Sequence, residues 1–568
     1  MLLKTSRLLV AIIGLFSLSA VLSCSAKREA DQRFDLILAG GMIFDGTGSE
    51  QYRADIGIQD GRIAAIGDLE GRQASNVLDV QGLAVAPGFI DTHSHADLAL
   101  SDPETAGMKG FLRQGVTTAV YGVDGVASVA ELKANIAASD AGIMGLNFMS
   151  YIGHNGVRVN ALGNEDRAPS ASELDQMRAE VKAGMDLGAL GLSTGLMYLP
   201  GGYASSDEVI ELAKVTAPYG GKYDSHIRDP ANNWITSVTE CLDIAKAAGV
   251  DAHLAHLKAV GGKNFDKSDE VIELINRRIA AGEDITADVY PYDGAATRKV
   301  MLLLYPADDE EGIALTRRLM QLDEGGMQLK SESEAVVASA KNYWRNIGSN
   351  PERYNQAVEK TENPPSGLFS WIESVGYQSM RIVVSENSEY RGRMVTELAE
   401  SLNITPFELL RKMIVDEGAN AIVTLGAIQE QEVRSLMKQP WSMVSSDGVE
   451  VDVEHPRGRG TFSRVLGRYG RDWDVFTLEE AVYKITGAPA AYLELSDRGV
   501  VREGAIADIA VFDPDRVIDN ATWENPTLLS SGVLHVLIAG EFALRDEALT
   551  DARLGRFIPF APSVSESR

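Results

Sequence analysis

Apolar residues along this chain change their period between its ends and its middle. From Phe34 to Val80 they come in short alternating runs broken by glycine turns: FDLILAGGMIFDGTG, ADIGIQDGRIAAIG and NVLDVQG. Alternation puts every second side chain on one face, so these runs predict half-buried β-strands. A matching set returns near the C-terminus in DRGVVREGAIADIAVFDP and SGVLHVLIAGEFAL. Two half-sets of strands predict one β-sandwich, over 34–88 and 497–545, assembled from both termini.

Between them, β-type apolar runs alternate with helical lines such as SASELDQMRAEVKAGMDLGA and SDEVIELINRRIAAGED. That alternation is the signature of a parallel (β/α)8 barrel, a TIM-like barrel. Strands are predicted to end near Asp91, Tyr121, Gly153, Ser193, His226, His256, Tyr290 and Asp447. Tyr290 and Asp447 lie much further apart than one crossover helix requires. Residues 293–439 are therefore expected to form an inserted subdomain at the barrel mouth, with MRIVVSE as a strand of its own. The barrel proper takes 89–292 and 440–496. The fold class is thus α/β: barrel, terminal sandwich and insertion.

At 568 residues the chain is too long for a single core, in keeping with that division. A formal charge of -28 argues against nucleic-acid binding and against electrostatic docking on anionic lipid. Two cysteines, Cys24 and Cys241, are too few for a disulfide framework. Cys241 lies in the helical pattern ECLDIAKAAG and reads as a core residue. At the N-terminus, Lys4 and Arg7 precede an apolar stretch from Leu8 to Leu22 that closes on VLSC. A basic start and a short apolar core predict a secretory signal rather than a spanning helix. Its end resembles a bacterial lipobox, which implies that 1–24 is a lipoprotein signal and Cys24 the lipidated residue. The expectation is an exported protein held in the cell envelope by a lipid anchor, at the outer membrane in a Gram-negative host. A plain membrane anchor is the alternative.

Candidate chemistry clusters at the predicted strand ends. In PGFIDTHSHADLAL, His93 and His95 are spaced to leave a strand on the same side. Neutral imidazoles converging on one point suit a metal ion. The chain has only eight histidines, and His226 and His256 also close predicted strands, as does Asp447 in SSDG. All five sit at C-terminal strand ends, the face on which barrel active sites are built. An aspartate there can also serve as a helix N-cap. His253 should face away from His256, His455 reads as structural, and His535 belongs to the sandwich. His154, ending the third strand, either faces the pocket or makes a structural hydrogen bond.

The motifs GFIDTHSHADLAL, GVTTAVYG, GALGLSTGLMYLPGGYAS, HLAHLKAVGG, TADVYPYDGAAT, SSDG and HPRGRGTFSRVLGRY resemble the amidohydrolase superfamily. More narrowly, they are similar to the N-acyl-D-amino-acid deacylases. That resemblance implies metal-dependent hydrolysis of a small N-acyl-D-amino acid, with one or two zinc ions held by His93, His95, His226, His256 and Asp447. Asp447 would act as general base and then acid. The family usually carries a cysteine in a G-N-C-G stretch where this chain reads YGVDG, so the shared-ligand role passes to Asp124. An oxygen donor in place of sulfur leaves manganese or cobalt possible. The resemblance further implies that Lys258, Tyr290 and Arg457 hold the substrate α-carboxylate and that Tyr198 touches the substrate. The family's G-S-T run reads AAT here, removing a hydroxyl at Ala296. Cyclic-amide hydrolysis is disfavoured, because GALGLSTG has no carboxylatable lysine after the fourth strand. A dipeptidase and a catalytically inactive surface-tethered binding lipoprotein stay open as alternatives.

Overall fold

The computed structural model describes residues 33–561 except 326–329, 366–369, 427 and 451–454, so Cys24 and the signal lie outside the described residues. The N-terminal set comprises β1 (Phe34–Ile43), β2 (Tyr52–Gln59), β3 (Arg62–Gly67), β4 (Ala74–Asp79) and β5 (Ala84–Pro87). The barrel strands follow: β6 (Phe89–Asp91), β7 (Val116–Tyr121), β8 (Asn147–Ser150) continued by β9 (Ile152–Gly153), β10 (Gly191–Gly195), β11 (Lys222–His226), β12 (Asp251–Leu254) and β13 (Ile285–Val289). The insertion holds β14 (Ala296–Lys299), β15 (Met380–Val384) and β16 (Ile422–Leu425), and β17 (Ser442–Val444) returns to the barrel. The chain ends with β18 (Ile509–Phe512), β19 (Val533–Ile538), β20 (Glu541–Arg545) and β21 (Ala548–Leu549).

The two terminal sets join where β5 pairs antiparallel with β18, Val85 opposite Val511. They form one nine-stranded sheet rather than two separate layers. Its free edge bends back onto the segment before β18: Ile63 N–H donates to Ala505 O and Ala507 N–H to Gly61 O, both at 2.9 Å. Curled in this way, alternate residues Leu36, Leu38, Ile56, Ile58, Val85, Ile509, Val511 and Leu537 share one buried core. Strand twist and closure of an exposed edge explain the shape.

The barrel strands are all parallel, β6-β7-β8 on one side and β9-β10-β11-β12-β13-β17 on the other. The third strand is the join between them, since β8 pairs β7 while β9 pairs β10. The opposite seam closes past the ends of β6 and β17, where Asp447 N–H donates to His93 O and His95 N–H to Gly448 O, each at 2.9 Å. β7, β10 and β11 are buried at every position, as parallel strands covered on both faces require. Helix Ala171–Asp186 opens on a capping box between Ser170 and Glu173. Tyr492, Leu493 and Phe560 fill the N-terminal end of the barrel against Ile90, Val120, Met149 and Met443.

In the insertion β16 pairs antiparallel with both β14 and β15, and MRIVVSE supplies β15. The inserted unit ends earlier than 439. Helix Glu430–Met437 packs on β13 and β17 and belongs to the barrel. Its buried Val433, Leu436 and Met437 form an apolar stripe that needs a sheet to cover.

Sandwich and barrel meet in a ring cluster. Phe89, the first residue of β6, lies 6.3 Å from Phe512 and 6.2 Å from Phe462, ring centre to ring centre. Phe89→Ala is expected to cost about 3–5 kcal/mol through the cavity it leaves, read as a lower urea midpoint with unchanged m-value.

Candidate metal centre

Each predicted ligand reaches the barrel mouth by a different local device. Beyond β6 the chain bends at Thr92 and His93; His93 is fully buried, and His95 is partly exposed. Asp91 holds this stretch: its carboxylate accepts the His93 N–H at 3.3 Å and the Ser446 N–H at 2.9 Å. Burial pushes the Asp91 carboxyl up to about 7. Beyond β7, Asp124 sits in a turn with φ 55°, and beyond β12 His256 has φ 34°; Asp447, after β17, has φ 49°. Left-handed backbone at three non-glycine residues in one site is strain that the surrounding barrel must hold.

These side chains converge on the Asp124 carboxylate. Its Oδ1 lies 3.2 Å from His256 Nε2, 3.4 Å from His93 Nε2 and 3.6 Å from His226 Nδ1. Its Oδ2 lies 3.5 Å from His95 Nε2. Asp447 Oδ1 stands 3.3 Å from His95 Nε2 and 3.7 Å from His93 Nε2. The result is two ligand groups that share one residue: His93, His95, Asp124 and Asp447, and Asp124, His226 and His256.

The donor set fits a divalent metal. Among the described residues, both ring nitrogens of His93 are buried without a hydrogen-bond partner. His226 Nδ1 and His256 Nε2 face each other at 2.9 Å, so at least one of them presents a lone pair. Burial holds His93 down at about 3 and His226 at about 4, the neutral state a ligand needs. For His95 burial works against the charged ring, but hydrogen bonds to Asp124 and Asp447 outweigh it and raise the ring to about 10. Asp124 is buried, which disfavours its charge, yet His256, His226 and His93 bring it well below the usual carboxylate range. For Asp447 burial is again outweighed, here chiefly by the Arg457 charge.

The expected substrate contacts lie against this cluster. The Arg457 guanidinium bonds Asp447 directly. Lys258 donates to His256 O at 2.9 Å and burial lowers its ammonium to about 8. The Tyr290 ring lies between the two cations, 5.1 Å from Lys258 Nζ and 5.2 Å from the Arg457 guanidinium carbon, while its hydroxyl donates to Ala295 O at 2.8 Å. Tyr198 OH reaches His226 Nδ1 at 3.3 Å.

The remaining histidines divide as their surroundings dictate. His154 lies 2.9 Å from the Glu208 carboxylate, which also binds Arg158 at 2.6 Å, so it makes a structural bond. His455 accepts the Arg457 N–H at 3.1 Å, and His535 lies on β19. His253 faces away from the metal ligands yet supports them from below. It bonds Asp288 at 2.8 Å, and Asp288 accepts the His256 N–H at 2.7 Å and the Ser445 hydroxyl at 2.5 Å. Asp91 and Asp288 escaped the sequence reading. The available signal was an aspartate inside an apolar strand, twice, where a lone buried charge has no place without partners. Met197, with its sulfur 3.3 Å from His226 Nε2, carried no signal.

Comparison with known proteins agrees with this geometry. Residues 397–543 match the amidohydrolase family. The chain is 34% identical over 557 residues to an N-acyl-D-glutamate deacylase of Alcaligenes xylosoxydans xylosoxydans, covering 94% of this chain and 98% of that one. It is 30% identical over 554 residues to a D-aminoacylase of the same organism, covering 94% and 99%. Among solved structures, an N-acyl-D-glutamate deacylase from Bordetella bronchiseptica, complexed with zinc and a phosphonate mimic of the tetrahedral intermediate, superposes with TM-score 0.73. It is 31% identical and covers 93% of this chain and 100% of that one.

Because Asp124 is common to both groups, Asp124→Ala is expected to weaken metal uptake at both together, by at least the ~10–100-fold that even outer contacts are worth. Chelator competition followed by elemental analysis measures it. Uptake equal to wild type would remove Asp124 from the ligand set.

Proposed function

This chain belongs to the N-acyl-D-amino-acid deacylases of the amidohydrolase superfamily, and we propose that it hydrolyses the amide bond of N-acyl-D-amino acids, releasing a carboxylate and the free D-amino acid. The observation that carries the reading is a single carboxylate, Asp124, shared by two groups of ligands beside a second carboxylate and two cations. Zinc, as one or two ions, is the cofactor; bound here it supplies the Lewis acidity that polarises a carbonyl and acidifies water. Asp124 stands where the family has cysteine, and its harder oxygens make manganese or cobalt workable substitutes.

Asp447 is positioned as the proton carrier. It takes the proton of the attacking water as the carbon–oxygen bond forms, and returns it to the nitrogen as the carbon–nitrogen bond breaks. Its pairing with Arg457 keeps it ionised and ready to accept. Arg457 and Lys258 bring positive charge to a strongly acidic protein at the place where a substrate carboxylate must bind. A guanidinium fork fixes such a carboxylate in orientation as well as in place. As Arg457 turns toward the incoming carboxylate, Asp447 loses part of its stabilising charge and becomes a stronger base. Tyr290, between the two cations, and Tyr198, beside His226, complete the substrate wall.

Holding the carbonyl, the α-carboxylate and the side chain at once fixes the configuration of one carbon. An L substrate must give up one contact, and forfeiting a buried charge-assisted one costs about 2–5 kcal/mol, roughly 30-fold to several thousandfold in kcat/KM. On a panel of N-acetyl amino acids the D forms are expected to lead by that factor. Arg457→Met should damage their turnover far more than metal content, and Asp447→Asn should abolish turnover with most of the metal kept. Equal rates on both enantiomers, or an L preference, would favour a dipeptidase.

We also propose that Cys24 carries a lipid and tethers the enzyme in the cell envelope, at the outer membrane in a Gram-negative host. VLSC after a short apolar run supports this. Among the described residues, no helix is long and apolar enough to cross a membrane. Cys24→Ala is expected to move the full-length protein out of the detergent-soluble membrane fraction into soluble or unprocessed material. Lipid-labelled membrane protein from that variant would end the idea.

A further inference from the structure

We propose that Ser193 is the positioning residue that sets Asp124 in the metal centre, an inference that rests on reading Asp124 as a metal ligand. Asp124 belongs to the turn Gly122–Gly125, in which three of four residues are left-handed: Gly122 at φ 68°, Asp124 at 55° and Gly125 at 75°. The glycines adopt this readily; the aspartate does not. A turn with such a member persists only where its surroundings over-determine it.

Ser193 supplies that constraint from the middle of β10. Its hydroxyl, fully buried, donates to Gly122 O at 2.6 Å and accepts the Gly125 N–H at 3.1 Å. One oxygen thus spans the turn from its first residue to its last. The turn is also pressed against β10 and the helix after β9. A Cβ at Gly125 would lie 2.7 Å from Asn155 Oδ1 and 2.8 Å from Gly195 N, so the backbone cannot shift that way. With both ends held and one side blocked, the backbone that carries the Asp124 carboxylate is fixed in place. Both ligand groups share it, so a displacement that suits one group strains the other.

Ser193 is placed to act through the turn rather than as a ligand, because its hydroxyl proton and one of its lone pairs are engaged there. Its effect on a metal acts entirely through Asp124. Thr194 makes a matched control. It is the next residue on the same strand and equally buried, but its hydroxyl bonds Tyr223 OH at 3.0 Å and Ser225 Oγ at 2.9 Å, away from the turn.

The test measures zinc affinity by chelator competition on the full chain, with thermal midpoints taken on the same samples. S193A is expected to weaken zinc binding roughly 10–100-fold, while T194A stays within about twofold of wild type; both should lower the midpoint. S193C, close to serine in volume with a weaker donor and acceptor, is expected to fall between wild type and S193A and decides the matter if S193A does not fold. Wild-type affinity in S193A or S193C, or an equal loss in S193A and T194A, would overturn the inference while leaving the metal centre standing. Failure of the wild-type protein to take up zinc would defeat both readings.

Discussion

The site depends on one carboxylate brought out of water into the middle of four imidazoles. A buried anion of this kind is costly unless positive charge or a cation meets it. Asp124 meets histidines from beyond β6, from the end of β11 and from beyond β12 within a few ångströms, and Asp447 stands across the same space. Burial leaves His93 and His226 neutral and able to offer lone pairs, while His95 and Arg457 bring positive charge beside the two carboxylates. A divalent metal ion would complete that balance, because both ligand groups present oxygen and nitrogen donors to it.

Supporting this arrangement engages two further buried carboxylates inside the barrel. Asp91 ties the first strand to the eighth through Ser446, and Asp288 ties the sixth to the eighth through His256 and Ser445. His253 satisfies the other oxygen of Asp288 and stacks on Tyr492, 4.3 Å away, part of the plug beneath. The metal ligands therefore rest on a layer of hydrogen-bonded carboxylates, which in turn rests on aromatic packing. Left-handed backbone at His256 and Asp447 lies among these bonds, whereas the Asp124 turn is held by Ser193. A site built this way keeps its shape before substrate arrives, as preorganised electrostatic catalysis demands.

The outer domains serve the mouth as well as the core. The segment between β18 and β19 brings Trp523 to the entrance, where its ring lies 4.3 Å from His455 and its indole N–H donates to Asp293 at 3.2 Å. The next residue, Glu524, pairs with Arg381 of the insertion at 3.6 Å. Sandwich, insertion and barrel thus meet beside the cations that would hold a substrate carboxylate.

Periodicity and spacing carried much of this in the sequence alone. Alternating runs at both ends announced the terminal strands, βα alternation announced the barrel, and four histidines with one aspartate at strand ends announced the mouth. These features are local: a strand needs its apolar period and a ligand needs its residue type. The roles given to Asp124, Lys258, Tyr290 and Arg457 came from the resemblance. What stayed hidden depends on contacts between distant segments. No local pattern says that the sandwich is one curled sheet, since that rests on residues 61–63 meeting 505–507. None ends the insertion before Glu430, because that helix is assigned by the sheet it covers. Nor could sequence show that Arg457 bonds Asp447, that His253 and Asp288 underpin His256, or that Ser193 spans the Asp124 turn. The first depends on how the chain after β17 brings Arg457 back to its own strand end. The last two join groups far apart along the chain, which closure of the barrel brings within hydrogen-bonding distance.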